Sequence, residues 1–154
     1  MDTHSTPEQT MTSAEQLAAV RSAVEAMPMA RSLGLRVRQL DAGHAELELP
    51  YQDELTCAPG MLQATPVYAI ADFAAVSAAA TTLPQGWVNA TSDTTLKLVA
   101  PAVGRVLRAR GRVISIRRSQ TVCAADVFAV NAMGEETLCA VMVATASNRE
   151  LSAS

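Results

Sequence analysis

Hydrophobic residues recur at helical spacing in two segments of the chain. Between Ser13 and Pro28, leucine and valine lie three or four positions apart, which predicts a helix. Ser13 is placed to cap this helix, and Gln16 would complete the capping box. The second segment, residues 62–82, has the sequence LQATPVYAIADFAAVSAAATT and is small or apolar at almost every position. This pattern is typical of a helix that other parts of the protein surround, here capped by Thr65.

Polar and apolar residues alternate in most of the remaining chain, which predicts β-strands. Residues 33–50, LGLRVRQLDAGHAELELP, contain two alternating runs on either side of an Asp-Ala-Gly turn, as in a β-hairpin. In the first run, Leu35, Val37 and Gln39 are expected on one face. Four more strands are predicted after residue 86, with Pro101 ending the first of them and the turn NAMGEE preceding the last.

The order of these elements predicts an α+β fold: a helix, two strands, one buried helix and four strands. Consecutive strands favour an antiparallel sheet over alternating βαβ units. A curved sheet of about six strands wrapped around the second helix is the simplest way to bury that helix. We expect one domain over residues 13–148, flexible tails at 1–12 and 149–154, and a loop from 51 to 61.

Composition and charge narrow the possible functions. Apolar residues make up 49% of the chain and aromatic residues 3%, so the core must consist mainly of Ala, Val, Leu and Met. A formal net charge of −3 provides no basic field for nucleic acid or a membrane surface. The three cysteines have no CxxC or metal-ligand spacing, which indicates reduced thiols and a cytoplasmic location. The segment 62–82 is a poor transmembrane candidate because it contains Asp72.

Asp72 is the single formal charge in that apolar segment. Burying an ionised carboxylate costs several kcal/mol unless it is paired or hydrogen-bonded. Two interpretations stay open: a structural carboxylate at an exposed edge or in an ion pair, or a desolvated general base or nucleophile in a cleft. Just before the helix, Gly60 permits a tight turn. The free N–H groups of the first helical turn are able to hold an anion or a developing oxyanion.

Two polar groups on the later strands are further candidates. One is a polar face expected on a single strand, formed by Asn89, Thr91, Asp93 and Thr95. The other is a group of arginines on the following ribbon, Arg108, Arg110, Arg112, Arg117 and Arg118. Both groups fit the solvated side of a strand. The arginines also fit a second interpretation, a contact with the phosphates of an anionic ligand.

The order of elements and the segment around Asp72 resemble the hotdog fold, specifically the PaaI-type acyl-CoA thioesterases. That family has His-Gly-Gly, then an apolar stretch ending in Leu-Ala-Asp, with the Asp nine residues after the His. QATPVYAIAD fits this frame, with Gln63 at the His position and Asp72 at the Asp position. TSDTTLKLVAPA resembles the family's Thr/Ser-Val-Asp…Phe-x-x-Pro-Ala strand, and the likeness covers roughly residues 27–146. It implies a helix wrapped by an antiparallel sheet, and active sites at the interface of paired subunits.

The resemblance also implies roles for individual residues. Asp72 would be the general base or nucleophile that attacks a thioester, and the N–H of Ala64 would stabilise the oxyanion. Thr91 of the neighbouring subunit would orient the water or the carboxylate. Further substrate contacts are expected from the loop, the helix entry and the arginines, the last for CoA phosphates: Cys57, Gly60, Thr65, Arg112, Arg117 and Arg118. Tyr68, Phe73, Val76 and Trp87 are candidates for an acyl tunnel, although core positions suit them better.

The chain departs from the family pattern at the start of the helix. Gln63, Ala64 and Thr65 replace His-Gly-Gly, and Cys57 stands where the family often has an Asn. A glutamine still donates a hydrogen bond to a thioester carbonyl. Two functions are therefore open: hydrolysis of an acyl-CoA or related thioester to free acid and CoA, and binding of an acyl-CoA or fatty acyl group without hydrolysis. Neither needs a metal or cofactor, since CoA is part of the substrate, and a homodimer, paired into a tetramer, is expected.

Overall fold

A computed structural model describes residues 11–152 as an antiparallel sheet wrapped around one long helix. The helices are α1 (Ser13–Ala26), α2 (Pro28–Leu33) and α3 (Ala64–Ala80). The strands are β1 (Arg36–Asp41), β2 (His44–Pro50), β3 (Thr56–Ala58), β4 (Met61–Leu62), β5 (Trp87–Leu98), β6 (Ala102–Val103), β7 (Val106–Ile116), β8 (Gln120–Val130) and β9 (Glu136–Glu150). Six of them form the main sheet in the order β1-β2-β7-β8-β9-β5, and β3, β4 and β6 form a small second sheet. The predicted α+β architecture is confirmed.

The N-terminal helical region differs from the prediction at both of its ends. Thr12, not Ser13, caps α1, because the Glu15 carboxylate accepts the Thr12 N–H at 2.7 Å and also carries a charge that favours a helix N-terminus. Pro28 does not end the helical region but begins α2, where its missing N–H costs nothing. Gly34, with a φ of 66°, ends α2 in the left-handed conformation that glycine adopts without strain.

Helix α3 lies unusually close to the sheet at β7. A Cβ atom at Gly111 would lie 2.0 Å from the carbonyl oxygen of Ala74 in the helix. Real Cβ atoms do not approach backbone atoms so closely, so only glycine fits at this position. The backbone atoms at this contact belong to Ala74 and Ala75, both of which are fully buried. The Ala-rich composition of the core is therefore a consequence of how closely the helix and the sheet approach.

Bulges in the strands change which side chains face the helix. In β1, the register shifts between Val37 and Gln39, so Leu40 is buried in place of the predicted Gln39. In β5, Ser92 is the extra residue between Thr91 and Asp93. The predicted single face of Asn89, Thr91, Asp93 and Thr95 is therefore wrong: Asn89 and Thr91 face the helix, whereas Asp93 and Thr95 face outward. A sheet that curves around a helix needs such bulges, and strict alternation does not reveal them.

The element boundaries near the ends of the domain are also adjusted. Strand β9 continues to Glu150, which pairs with Trp87, so the strand extends two residues past the predicted end of the domain. The predicted loop 51–61 contains a 3-10 turn (Asp53–Leu55) and strand β3. Residues 1–10 of the predicted N-terminal tail lie outside the described part of the chain. Within residues 11–152, no helix is long and apolar enough to cross a membrane.

Candidate functional site

Asp72 lies on a stripe of helix α3 that the sheet does not cover. Most of the helix is buried, but Tyr68, Ala69, Asp72, Phe73 and Val76 remain half-buried or exposed. These positions recur at intervals of three or four residues, so they share one face of the helix. Within one subunit the sheet therefore leaves this face of the helix open, and its cover by a partner subunit stays a prediction. Asp72 is on the open face.

A cavity of about 550 Å³ opens along this face near the N-terminus of α3. A cavity of this size is typical of small-molecule sites. Three parts of the chain form its walls: helix α2, the 3-10 turn with the residue after it, and the first turns of α3. The lining residues are Met29, Leu33, Glu54, Leu55, Thr56, Gln63, Thr65, Pro66, Tyr68, Ala69, Asp72 and Phe73. The cavity therefore combines a carboxylate and a helix N-terminus with a largely apolar wall.

The Asp72 carboxylate is held by a hydrogen bond from strand β5. The hydroxyl of Thr91 donates to Oδ1 of Asp72 at 2.8 Å. Partial burial raises the pKa of Asp72 above its ordinary value, and the hydrogen bond from Thr91 offsets part of this rise. Both residues belong to one subunit, so the expectation that Thr91 reaches Asp72 from a neighbouring subunit is wrong. The bulge at Ser92 lies directly beside Thr91 and defines the face on which its hydroxyl is found.

A buried thiol lies on the sheet behind Asp72. Cys123 of β8 is fully buried, and burial together with the charge of Asp72 raises its pKa to about 11. The thiolate is the nucleophilic form of cysteine, so this side chain stays protonated and unreactive near neutral pH. Cys123 therefore provides no nucleophile at this cavity.

The first turn of α3 has few N–H groups left for a ligand. Gln63, not the predicted Thr65, is the N-cap, and its side-chain oxygen accepts the N–H of Thr65. Pro66 has no N–H, and the N–H of Ala64 forms no hydrogen bond with any described residue. Because the oxygen of the Gln63 amide is already bonded, its NH₂ group is the part that remains available to a ligand. Two donors are thus left at the start of α3: the amide of Gln63, which lines the cavity, and the N–H of Ala64, which is not among the lining residues.

Of the residues predicted to bind substrate near the helix entry, Thr65 lines the cavity, whereas Cys57 and Gly60 do not. The exposed thiol of Cys57 donates to the carbonyl oxygen of Met61 at 3.7 Å, within the β3–β4 hairpin. Gly60, with a φ of 78°, forms the tight turn of that hairpin as predicted, and its N–H donates to the hydroxyl of Tyr51. These two residues shape the loop beside the cavity.

The arginines are separated into two groups. Arg108 and Arg110 form ion pairs with glutamates of β2 and β9, and Arg112 pairs with Asp126 at 3.1 Å. These side chains alternate with Gly111, which faces the helix, so they lie on the outer face of the sheet. Arg112 therefore lies on the face opposite the cavity with its charge paired, and its contact with CoA phosphates stays a prediction. Arg117 and Arg118 lie in the β7–β8 turn and form no ion pair with the described residues.

Sequence reasoning missed one wall of the cavity. Met29 and Leu33 come from α2, which the prediction lost by ending the helix at Pro28. Their spacing of four residues, followed by Gly34, is the sequence pattern that could have predicted this second helix. Tyr68 and Phe73 line the cavity; Tyr68 is 40% exposed, whereas Phe73 is partly buried and also packs against the core.

The remaining polar residues of this wall come from the 3-10 turn and the residue after it. Glu54 and Thr56 carry no motif that singles them out, and only the folded loop places them at the cavity. Among residues 11–152, no group of His, Cys, Asp or Glu side chains is arranged to hold a metal ion.

Fold and site together define a hotdog-fold protein with the architecture of the thioesterase superfamily. The chain is 29% identical to a thioesterase family protein from Silicibacter pomeroyi, with a TM-score of 0.83, and the match covers 90% of this chain and 99% of that one. A thioesterase from Haemophilus influenzae is similar at 19% identity and a TM-score of 0.75, with 94% of each chain covered. The PaaI protein of the E. coli phenylacetic acid degradation operon matches at 17% identity and 0.73, over 92% and 96% of the chains. No protein-family model and no curated protein sequence matches this chain. The hotdog fold and the PaaI-type resemblance predicted from the sequence are confirmed.

Proposed function

We propose that this protein hydrolyses an acyl-CoA or a related thioester to the free acid and the thiol. One observation carries the proposal: Asp72, a half-buried carboxylate whose pKa is raised, lines the same cavity as the open N-terminus of α3. Perturbed carboxylates in clefts are frequent at catalytic sites. The similarity to a thioesterase family protein at 29% identity supports this reaction class.

In the proposed reaction, the ionised Asp72 removes a proton from a water molecule while the water oxygen bonds to the thioester carbon. The carbonyl oxygen becomes an oxyanion. The carbon–sulfur bond then breaks, and the thiolate takes up a proton to leave as free thiol. In the alternative route, the carboxylate itself bonds to the carbonyl carbon and displaces the thiolate, and water then hydrolyses the anhydride. Thr91 orients the carboxylate in both routes.

The oxyanion would be stabilised at the N-terminus of α3. The N–H of Ala64 has no partner among the described residues, and the Gln63 amide has its oxygen bonded to Thr65, which leaves its NH₂ to donate. Donors aimed at a developing negative charge act strongly in a site with little water. For the CoA phosphates we propose Arg117 and Arg118, because their guanidinium groups have no carboxylate partner among the described residues.

The second candidate function is binding of an acyl thioester without hydrolysis. The first turn of α3 favours it, because Gln63 occupies the Thr65 N–H and Pro66 supplies none, so only one backbone donor is left. Release of free CoA from a panel of aliphatic and aromatic acyl-CoAs distinguishes the two functions. Saturable turnover supports hydrolysis, whereas stoichiometric binding of the same compounds without release supports a binding protein.

We further propose that the subunits pair through strand β5. It is one edge of the main sheet, and its 12 residues contain only two charged side chains, Asp93 and Lys97. The opposite edge, β1, has six residues, three of them charged, and a bulge. A long edge strand with few charges pairs readily with a strand of another chain, whereas a short, charged edge strand does not. We expect light scattering at micromolar concentration to give a dimer or tetramer mass; a monomer mass would contradict this proposal.

Removing the Thr91 hydroxyl should shift the pH dependence of the reaction. The hydrogen bond from Thr91 lowers the pKa of Asp72, so Thr91→Val raises that pKa further. Because the reaction needs the ionised carboxylate, we expect the acidic limb of kcat/KM to move to higher pH. The rate on the plateau should fall by about tenfold or less, as for the loss of one hydrogen bond. The measurement is kcat/KM for one acyl-CoA from pH 4 to 9.

Thr95→Val is the matched control, because it removes the same hydroxyl from the outer face of β5. Its pH profile should coincide with that of the wild type. If the acidic limb of Thr91→Val lies at the same pH as that of the wild type, Thr91 does not influence the ionisation of Asp72.

A further inference from the structure

The cavity wall contains a second carboxylate that the proposed reaction does not use. Glu54, in the 3-10 turn, lines the cavity together with Asp72. Its side chain is exposed and forms no ion pair with any residue in the range 11–152. Asp72 is held by Thr91 and positioned for chemistry, whereas Glu54 only contributes negative charge to the cavity.

Within residues 11–152, no cationic side chain lines the cavity beside these two carboxylates. None of the twelve lining residues is Arg, Lys or His. Arg108, Arg110 and Arg112 are paired with carboxylates on the outer face of the sheet. A negatively charged group entering the cavity would therefore lose water and meet two like charges without a counter-ion. Such an arrangement is unfavourable by Coulomb's law and by the cost of desolvation.

The position of Glu54 is fixed by the loop that carries it. The N–H of Leu55 donates to the carbonyl oxygen of Gln52 at 3.0 Å, which closes the 3-10 turn. The carbonyl oxygen of Leu55 accepts the N–H of Gln63 at 2.9 Å, which ties the turn to the start of helix α3. The backbone of Glu54 therefore keeps a constant position relative to the reacting end of the cavity.

The remaining wall suits an apolar chain. Met29, Leu33, Leu55, Tyr68 and Phe73 contribute apolar surface to it. A six-carbon acyl group occupies roughly 200 Å³ if each heavy atom takes about the volume of a water molecule, ~30 Å³. The cavity of about 550 Å³ accommodates such a group with space for the attacking water.

We propose that Glu54 selects acyl groups by charge, so that the cavity takes neutral apolar acyl chains and rejects those that end in a carboxylate. The inference rests on the proposed function and deepens it by naming the substrate class. Glu54 acts on binding and not on the bond-breaking step. Its effect therefore differs between two substrates of equal length that differ only at the far end of the chain.

The test compares hexanoyl-CoA with adipoyl-CoA, which have six-carbon acyl chains and differ by one terminal carboxylate. We expect kcat/KM for hexanoyl-CoA to exceed that for adipoyl-CoA by at least about tenfold in the wild type at low salt. Glu54→Gln should reduce this ratio by about three- to tenfold, and Glu54→Lys should reduce it further. Raising the salt concentration should narrow the ratio in the wild type, because Glu54 is exposed.

Glu25→Gln is the matched control, because it removes one exposed carboxylate from α1, outside the cavity. Its ratio should equal that of the wild type. Equal use of both substrates by the wild type, or a ratio that neither Glu54 variant changes, would overturn the role of Glu54. If neither compound is hydrolysed, that result contradicts the proposed hydrolysis but not the role of Glu54 in binding. The ratio of the two dissociation constants from calorimetry then tests Glu54 by the same criteria.

Discussion

Asp72→Asn should reduce kcat for acyl-CoA hydrolysis by about 10²- to 10⁴-fold, the range typical of a lost general base. The amide has nearly the shape of the carboxylate and still accepts the hydrogen bond from Thr91. It cannot take up the proton of water or act as a nucleophile. The measurement is CoA release under saturating substrate, with binding of the same acyl-CoA followed by calorimetry. We expect the binding affinity to be largely retained.

The stability of the same variant separates catalysis from folding. Burial raises the pKa of Asp72 in the folded state, so folding favours its protonated form. That contribution is fully present below the pKa of the unfolded chain and is lost as the pH rises through the folded pKa. Above the folded pKa, where wild-type Asp72 is a partly buried charge, Asp72→Asn should therefore unfold at an equal or higher temperature than the wild type. Loss of activity combined with a lower melting temperature would favour a structural role.

Asp93→Asn is the matched control for this experiment. Strict alternation along β5 would place Asp93 beside Thr91 on the inner face, but the bulge at Ser92 turns it outward. The same Asp-to-Asn change should therefore leave kcat within about twofold of the wild-type value. A large loss of activity in Asp93→Asn would contradict the assignment of Asp72 as the reactive carboxylate and the register of β5.

Gly111→Ala should destabilise the fold by about 3 kcal/mol or more. The added Cβ would lie 2.0 Å from the carbonyl oxygen and 2.4 Å from the carbonyl carbon of Ala74. Both are backbone atoms of α3, so no change of rotamer relieves the contact and the helix must move off the sheet. Overpacking by side chains alone costs about 1–3 kcal/mol, and total stabilities are only about 5–15 kcal/mol. The measurement is the urea midpoint, or the yield of folded protein if the variant does not fold.

Gly134→Ala provides the comparison for Gly111→Ala. Gly134 has a φ of 82° in the turn before β9, and nothing lies within 4 Å of the position of its missing Cβ. Its replacement should cost about 1–2 kcal/mol, from the strained backbone alone. Ala74→Gly should not rescue Gly111→Ala, because the contact involves the main chain of residue 74. A Gly111→Ala midpoint close to that of the wild type would show that α3 does not approach β7 this closely.

Much of the fold follows from local patterns in the sequence. The period of the apolar residues separates helices from strands, and the runs of strands predict an antiparallel sheet. The predicted starts of α1 and α3 are less accurate. Thr12 and Gln63 cap these helices, in place of the predicted Ser13 and Thr65. Thr12 and Glu15 form a reciprocal capping box, and the Gln63 side chain accepts the N–H of Thr65. Both caps depend on these particular hydrogen bonds, which residue type alone does not specify.

The candidate site is only partly visible in the sequence. Asp72 is conspicuous as the single charge in an apolar helix, and Gln63 and Ala64 follow from the frame of the resemblance. Glu54 and Met29 are not visible, because each lies on a different element and reaches the cavity only when those elements pack together. The ion pair of Arg112 is not visible either, because its partner Asp126 lies on the neighbouring strand.

By itself the sequence determined the types and order of the main elements, the small residues that let α3 approach the sheet, and the presence of a carboxylate at position 72. Period and composition are local properties, so they can be read directly along the chain. Only the tertiary structure decided what surrounds that carboxylate. Curving the sheet around α3 introduces the bulge at Ser92, which defines the face on which Thr91 contacts Asp72. The same curvature leaves one stripe of α3 uncovered, and α2 and the 3-10 turn form a cavity beside it.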